Sequence, residues 1–376
     1  MKAAPLKKTL SFTLLLTLWL AGSEGFPASA SPKAQQEVRA KGYIFETSHD
    51  EIVAKAKKEG KVRVLTGLDP EAFKPMAEAF KKKYPFLDVY VEELTGQEAA
   101  QRFLLELKTG VATGWDVINF FGDFFPEFLP HSKKFDILGM AEQGVLSIPI
   151  GMVDPFNRSL VVPASSLIVV GYNKSLVSQE RIPETWEGFL QPELSGRKFI
   201  VDIKAIIADM AACPEHGMGL EWLLGYAKKL AAQKPVWARG TTGIVRMAAG
   251  EYPMHVGYYL HTIARHQRKD LKGDLAYKII EPVPAHLSAP DGVVHSASHP
   301  YAGLLWLEFQ AGPEGQRIID SGEPGKASLF SSTSLAGKAL KGKKSCVVKW
   351  QDFSKLSEWR NKVIAAFGFP RDEIRK

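Results

Sequence analysis

Short apolar runs alternate along the chain with longer stretches in which apolar residues recur every three or four positions. The short runs predict β-strands, and the longer stretches predict amphipathic helices. Up to residue 120, strands are predicted at residues 62–66, 87–91 and 115–120. Helices are predicted at residues 50–59, from residue 70 onward, and after residue 96 through residue 107. This alternation favours an α/β fold with mainly parallel sheets.

A further apolar run at residues 167–172 opens a second series of alternating elements. After it we predict a docking helix at 183–192, strands at 197–201, 254–257, 277–280 and 292–295, and helices at 219–232, 244–249 and 258–269. The tail from residue 301 is expected to be mainly helical and to pack on the first series. Because the chain is long enough for two domains, the second series is expected to form a second domain.

The N-terminus has the layout of a secretory signal. A basic start precedes the apolar residues 10–20, and the small residues 28–30 suit a cleavage site. The apolar run is shorter than the about 20 residues that span a bilayer. We therefore expect export to the periplasm, with residues 1–30 removed by a cut near Ala30.

The charge of the chain argues against a nucleic-acid partner. The formal net charge is +7, and removal of the signal, with three lysines and one glutamate, takes away +2 and leaves +5. The dense basic spots, residues 81–83 and 341–344, have no interleaved aromatic residues, which is typical of solvated surface.

The two cysteines, Cys213 and Cys346, leave two alternatives open. In an oxidising compartment they could form one disulfide that closes a long loop, and they could equally remain two buried thiols. Neither has the close Cys or His spacing of a zinc site, so we expect no structural metal.

Several short motifs occur in an order that resembles one protein family. They are AKAKKEG at 54–60, WDVI at 115–118, GYNK at 171–174, PETW at 183–186, QPELSGR at 191–197, AAGEY at 248–252 and GPEGQ at 312–316. By this ordered set, which covers most of residues 51–316, the chain resembles the family-1 extracellular solute-binding proteins of ABC importers. That group includes receptors for ferric ion, polyamines, thiamine and phosphonates.

The resemblance implies an α/β, bilobal, periplasmic-binding-protein-like fold of type II, in which two lobes are joined by a hinge and lobe two is inserted in lobe one. It implies lobe one at residues 45–165, lobe two at 166–285, and the return hinge and second part of lobe one at 286–376. The implied protein is a receptor, not an enzyme. It would bind a small-molecule or metal-ion ligand, deliver it to an ABC importer permease, carry no cofactor and act as a monomer.

The candidate ligand site follows from a rule for open α/β sheets. Ligands bind beyond the carboxyl ends of strands, where helix N-termini offer unpaired N–H groups and partial positive charge. The candidate ligand-binding residues are Thr66, Gly67, Thr95, Asp116, Ser165, Ser166, Arg239, Thr241, Thr242, Tyr258 and Tyr259. Most of these also have a structural interpretation as helix caps or loop hydroxyls, which is compatible with ligand binding.

The adjacent pair Tyr258 and Tyr259 leaves the class of ligand open. The ferric-ion receptors of the family resemble this chain here and carry an adjacent tyrosine pair, so both would be metal ligands if the transported ligand is ferric iron. Those proteins often add a His or Glu from lobe one, which residues 66–69 lack. The alternative is a small organic or phosphonate-like anion, for which the planar fork of Arg239 is suited.

Two other classes of function remain as alternatives. Thiamine-cleaving enzymes resemble binding proteins and use a cysteine nucleophile, for which Cys213 is the candidate here. A sensing subunit that signals to a partner receptor is the third possibility. The chain has no Gly-x-Ser-x-Gly, phosphate-loop or His-Glu-x-x-His motif, so the sequence favours binding over catalysis.

Overall fold

The computed structural model describes Met1 and residues 40–94, 96–120 and 122–368. Apart from Met1, the predicted signal at residues 1–30 lies outside the described residues, and so does the candidate Thr95. In the described part of the chain, no helix is long and apolar enough to cross a membrane.

The helices alternate with strands through most of the described chain. The helices are α1 (His49–Glu59), α2 (Pro70–Lys83), α3 (Gln97–Lys108), α4 (Phe125–Phe128), α5 (Ile137–Glu142), α6 (Leu220–Ala232), α7 (Thr242–Ala248), α8 (Leu260–Lys269), α9 (Pro300–Ala311), α10 (Pro313–Gly322), α11 (Leu335–Leu340) and α12 (Leu356–Phe367). The strands are β1 (Lys61–Thr66), β2 (Asp88–Glu93), β3 (Val117–Asn119), β4 (Leu160–Val161), β5 (Ala164–Asn173), β6 (Ile200–Asp202), β7 (Ala212–Cys213), β8 (Met218–Gly219), β9 (Val236–Ala238), β10 (Met254–Tyr259), β11 (Leu275–Lys278), β12 (Val283–Ser288), β13 (Asp291–Val293) and β14 (Ser345–Val348).

The first sheet has the strand order β2-β1-β3-β13-β4. Strands β1, β2 and β3 are parallel, so their carboxyl ends lie at one edge of the sheet. Strand β13 returns late in the chain and pairs antiparallel with both β3 and β4. On this sheet α9 packs against α1, and α10 packs against α2, around a core that includes Phe80 and Trp306.

The second sheet has the order β14-β12-β5-β10-β6-β9, with β11 also paired to β5. Strands β6, β9 and β10 are parallel to one another, so their carboxyl ends also share one edge. The two small strands β7 and β8 pair separately.

Strand β5 connects the two halves. All ten of its residues are buried, as expected for a strand in the middle of a sheet. Its first residues pair with β12, and its later residues pair with β10 and β11. At its start, Ala164 forms a bridge with Ala327, and Ser165 N–H donates to the carbonyl of Lys326.

Two predicted helices differ from the structure. The docking helix expected at residues 183–192 is a pair of 3₁₀ turns, Glu187–Leu190 and Pro192–Leu194, because proline and glycine interrupt the segment. The helix expected from residue 258 begins at Leu260, since Tyr258 and Tyr259 pair with β5 and extend β10.

The tail contacts both halves of the molecule. Helices α9 and α10 pack on the first sheet as expected, but β14 pairs with β12 in the second sheet and α12 packs on α6. A disulfide joins Cys213 of β7 to Cys346 of β14, with the two Cα atoms 5.1 Å apart. Of the two alternatives for the cysteines, the structure therefore has the bonded pair.

Candidate functional site

A cavity of about 550 Å³ lies between the edges where the parallel strands of the two sheets end. From the first sheet it is lined by the ends of β2 and β3 and the loops after β1, β2 and β3, and from the second sheet by the loops after β6 and β9 and by the end of β10. The lining residues are Gly67, Asp69, Glu93, Leu94, Gly96, Gln97, Asn119, Gly122, Lys204, Ile206, Arg239, Gly240, Tyr258, Tyr259, His286, Leu287, Ser288, Ala289, Pro290, Lys326, Phe353, Leu356, Ser357, Arg360, Asn361 and Ile364. The size suits a small organic molecule or a complexed ion.

On the first-sheet side, the close approach of two loops favours a glycine. A Cβ atom at Gly67 would come within 3.1 Å of the side chain of Asn119. The amide of Asn119 is held from the other side, because its Nδ2 donates to the Asp291 carboxylate at 3.0 Å and to the carbonyl of Pro290 at 3.3 Å. The backbone after β1 can therefore lie directly against the loop after β3.

On the second-sheet side, Asp202 ties together two loops that carry basic residues. Its carboxylate accepts backbone N–H groups from Lys204 at 2.7 Å and from Gly240 at 2.9 Å. Burial raises the pKa of Asp202 to about 6, against the opposing effect of these hydrogen bonds. The bonds fix the loops from which Lys204 and Arg239 line the cavity.

Both tyrosines of the adjacent pair line the cavity, with their ring centroids 5.8 Å apart. Gly257, with φ of 74°, sits in a bulge of β10 just before them, and Tyr259 is the last residue of that strand. At the end of a strand, consecutive side chains need not alternate strictly between faces. Burial raises the pKa of both phenols, Asp202 adding to the effect at Tyr258 and Asp209 at Tyr259.

Histidines surround Tyr259. The ring of His261 stacks on it at 5.4 Å, and the ring of His286 meets it edge-on at 5.4 Å. His286 lines the cavity, and its Nδ1 is 2.6 Å from a carboxylate oxygen of the buried Asp209. With Nδ1–H donating to Asp209, the other ring nitrogen of His286 is an acceptor for a hydrogen bond.

The charges of the lining favour an anion. Basic side chains come from Lys204, Arg239, Lys326 and Arg360, while the acidic ones are Asp69 and Glu93. Asp69 is already paired with Arg265 of α8. Burial lowers the pKa of Lys326 because it disfavours the charged ammonium group. An anion bound nearby would offset this effect.

The N-terminus of α3 adds to this field. Gly96 and Gln97, the N-cap and the first residue of this 12-residue helix, both line the cavity. The partial positive charge at this end of the helix favours negatively charged groups there. Leu356, the first residue of α12, lines the cavity too, but its N–H already donates to the carbonyl of Phe353 in the 3₁₀ turn that leads into the helix.

The structure brings four of the predicted site residues into the cavity lining: Gly67, Arg239, Tyr258 and Tyr259. Thr66 is buried, and its Oγ1 accepts the N–H of Leu68 at 3.2 Å. Thr241 and Thr242 are exposed at the start of α7 and are not among the lining residues.

The paired serines lie inside a strand rather than in a loop. Ser165 and Ser166 are buried in β5 and do not line the cavity. Ser165 Oγ accepts the N–H of Leu329 at 3.0 Å, and Ser166 Oγ donates to Ser288 Oγ at 3.5 Å. Their hydroxyls serve the packing around the strand that connects the two sheets.

Asp116 lies at the amino end of β3, so its predicted place beyond the carboxyl end needs correction. Its carboxylate accepts the backbone N–H groups of Arg63 at 2.9 Å and His299 at 2.8 Å, and pairs with the His299 ring. The prediction treated residues 115–120 as one strand. The structure starts the strand at Val117 and uses Asp116 to fasten the residue that precedes α9.

Several lining residues were not singled out from the sequence: Lys204, His286, Lys326, Arg360 and Asn361. Lys204 follows β6, so the same strand-end rule could have identified it. The others come from β12 and from the C-terminal segment, whose place depends on long-range pairing that a local pattern does not contain.

Apart from the tyrosine pair, the described residues offer neither a metal site nor a cysteine nucleophile. Among the described residues, no group of three or more His, Cys, Asp and Glu is placed to hold a metal ion. Cys213 is buried in the disulfide with Cys346, so the enzyme alternative that needs its free thiol is wrong.

A family model described as bacterial extracellular solute-binding protein matches residues 116–356. Comparison with curated protein sequences gives no match. Iron-bound HitA from Pseudomonas aeruginosa is similar over 82% of this chain and 99% of that chain, at 16% identity and a TM-score of 0.58. The apo ferric ion-binding protein A of Pasteurella haemolytica matches at 16% identity and a TM-score of 0.63, covering 82% and 98% of the two chains.

A third similar structure is Trichodesmium IdiA (FutA) in complex with iron and citrate ligands. It shares 18% identity and a TM-score of 0.58 over 82% of this chain and 98% of that one. At such identities the likeness shows the fold alone. It confirms the predicted bilobal, type II periplasmic-binding fold.

Proposed function

The chain belongs to the bacterial extracellular solute-binding proteins, and from this premise we propose that it captures a small organic or phosphonate-like anion for an ABC importer. Proteins of this family are binding proteins rather than enzymes and carry no cofactor. The family implies a small ligand and an ABC permease as partner. We propose that this chain acts as a monomer in the periplasm, after removal of residues 1–30.

The observation that carries the proposal is the positively charged cavity between the two sheets. Lys204 and Arg239 approach it from the second sheet, while the N-terminus of α3 approaches it from the first. An anion that bridges these groups would contact both lobes at once. Charge-assisted hydrogen bonds of this kind are about twice as strong as neutral ones, and Arg can hold a carboxylate or phosphonate with two parallel bonds.

We propose that residues 45–165 and the first part of residues 286–376 contribute lobe one, and that residues 166–285 form lobe two together with β14 and α12 of the tail, which pair with β12 and pack on α6. The lobes would close on the ligand. The contacts between them are polar where α8 meets the first lobe: Arg265 pairs with Asp69, and Lys269 lies 3.6 Å from Glu71. Such contacts can open and reform at small cost. The ligand would favour the closed form because only that form lets both lobes bind it.

A thermal-shift panel tests the anion. The full chain is heated with inorganic phosphate, methylphosphonate or citrate, and with a neutral sugar as control. Ligand at about 100 times its Kd stabilises the folded state by about 2.7 kcal/mol, so a bound anion should raise Tm by several degrees. Arg239→Gln should reduce that rise, while Arg181→Gln, an exposed site outside the lining, should not. Equal rises in both variants would contradict the proposed site.

Ferric iron at the tyrosine pair is a second candidate, because Tyr258 and Tyr259 both line the cavity. The solved structures that resemble this chain include an iron-bound protein and one with iron and citrate, which adds support. Burial raises the pKa of both phenols, so iron would have to displace their protons. Positive side chains around the pair would then hold an accompanying anion.

Visible absorption separates the two candidates. Ferric ion with carbonate is added to metal-stripped protein, and a tyrosinate-to-iron band is sought. Ferric binding predicts a band that disappears in Tyr258→Phe and in Tyr259→Phe but persists in Tyr252→Phe, whose hydroxyl bonds Arg246 outside the cavity. A protein that stays colourless while an anion raises its Tm excludes iron and retains the anion.

A further inference from the structure

The C-terminal helix forms one wall of the ligand cavity. Its residues Leu356, Ser357, Arg360, Asn361 and Ile364 all line it. Their spacing of one, four, five and eight positions from Leu356 places them on one face of an α-helix. From the sequence, this segment was expected only to pack on the first lobe. The family match ends at residue 356, the first residue of the helix, so it assigns the helix no role in binding.

The opposite face of α12 is anchored to the second lobe. Trp359, Val363 and Phe367 are buried, and the ring of Phe367 lies 4.9 Å from that of Trp237 in β9. These positions recur every four residues and alternate with the cavity-facing ones. The helix therefore has one apolar face on the lobe and one mixed face on the cavity.

The chain that leads into α12 is also tied down, and to both halves of the molecule. The disulfide of Cys346 holds β14 against the second lobe. Phe353, just before the helix, meets the ring of Phe125 in α4 edge-on at 5.1 Å. A wall held in this way is pre-organised, which reduces the entropy lost when a ligand binds.

The polar residues of this wall line the same cavity as the tyrosine pair. Arg360 and Tyr259 line the same cavity, and the positive charge of Arg360 lowers the pKa of Tyr259 against the larger effect of burial. Asn361 is exposed and lines the cavity one position further along the helix. The wall thus adds a guanidinium group and an amide to the cavity that Tyr259 lines.

We propose that α12 is part of the binding site and that Arg360 and Asn361 select a carboxylate or phosphonate group of the ligand beside Tyr259. The inference rests on the proposed function, since it assigns these residues to the same anion. Arg360 supplies charge and a planar fork, and Asn361 supplies an amide that can donate to an anionic oxygen. In this proposal α12 has two roles: it forms a wall of the cavity, and its polar residues determine which anions bind there.

Three variants that each change the charge by one unit test this wall. Asn361→Asp places a carboxylate in the cavity, Arg360→Gln removes the guanidinium group, and Lys362→Gln is the matched control. Lys362 is on the same helix but outside the lining, where it pairs with Glu358. Because Asn361 is exposed, Asn361→Asp should fold normally, and unchanged Tm without ligand checks this.

Calorimetric titrations with inorganic phosphate, methylphosphonate and citrate give the readout. For an anion that the wild-type protein binds, we expect Kd to rise about 10- to 100-fold in Arg360→Gln and in Asn361→Asp, and less than 2-fold in Lys362→Gln. If the wild type binds an anion and both wall variants bind it equally well, this inference is overturned and the proposed function stands. If the wild type binds none of the three probes, the anion proposal fails and the inference fails with it.

Discussion

Removing the disulfide between Cys213 and Cys346 tests what holds the C-terminal segment in place. The bond closes a loop with a sequence separation of 133 residues. In the chain-entropy account, a cross-link over such a loop restricts the unfolded chain by about 5 kcal/mol. The stabilisation measured for disulfides is usually somewhat smaller than this figure. We therefore expect Cys213→Ala/Cys346→Ala to lose about 3–5 kcal/mol of unfolding free energy.

Equilibrium unfolding in urea measures this loss, followed by tryptophan fluorescence and by far-ultraviolet circular dichroism. The unfolding free energy of the wild-type protein is also compared with and without a reducing agent, because reduction breaks the disulfide without replacing either cysteine. Both sulfur atoms are buried, so the alanine variant also loses a small amount of packing. A loss below about 1 kcal/mol in both comparisons would refute the argument from loop length.

Three further predictions concern the loops around the cavity. Burial raises the pKa of Asp202 from 3.8 to about 6, so the folded state holds this proton more tightly than the unfolded chain. The contribution of this proton to the unfolding free energy is fully present below about pH 4, and roughly 3 kcal/mol of it is lost as the pH rises through 6. In urea unfolding measured at several pH values, Asp202→Asn should remove this dependence on pH. Arg265→Gln should break the pair with Asp69 and weaken ligand binding by up to about 5-fold, with a change in unfolding free energy below about 1 kcal/mol. Gly67→Ala should push the amide of Asn119 away and cost about 1–3 kcal/mol, measured by urea unfolding.

Each of these has a result that would contradict it. A pH profile in Asp202→Asn identical to the wild type would show that another group carries the slope. Unchanged anion affinity in Arg265→Gln would mean that the ion pair between the lobes does not favour the closed form. Full stability in Gly67→Ala would mean that the loop after β3 can move aside freely.

The alternation of strands and helices could be predicted because each element carries its own signal. For α2, a proline at the first helical position and apolar residues facing the core mark both the start and the buried face. The parallel strands β1 and β2 were found within a few residues of their observed ends. The site residues Gly67 and Arg239 followed from the position of strand ends alone.

Other features depended on tertiary contacts. Tyr258 and Tyr259 extend β10 because β5 offers them partners more than eighty positions earlier in the chain, and no local pattern marks that pairing. Asp116 was assigned to the wrong end of β3 because an apolar run does not show where hydrogen bonding begins. Ser165 and Ser166 were predicted as ligand-binding residues, with loop hydroxyls as the alternative, although the strand that connects the lobes buries them.

The cavity wall formed by α12 was missed for the same reason. Its apolar residues predict a helix but do not say which surface the helix covers. That surface is set by the disulfide, by the pairing of β14 with β12 and by the contact of Phe353 with Phe125. These contacts join segments far apart in sequence.

The most direct test of the account is a calorimetric titration of the full chain with the anion that gives the largest thermal shift, beside the same titration of Arg239→Gln. The account predicts one anion per chain and a Kd at least about 10-fold higher in the variant, because Arg239 lines the cavity from the second lobe. Equal affinities in the two proteins, or no binding heat from phosphate, methylphosphonate or citrate, would contradict the claim that this cavity captures an anion.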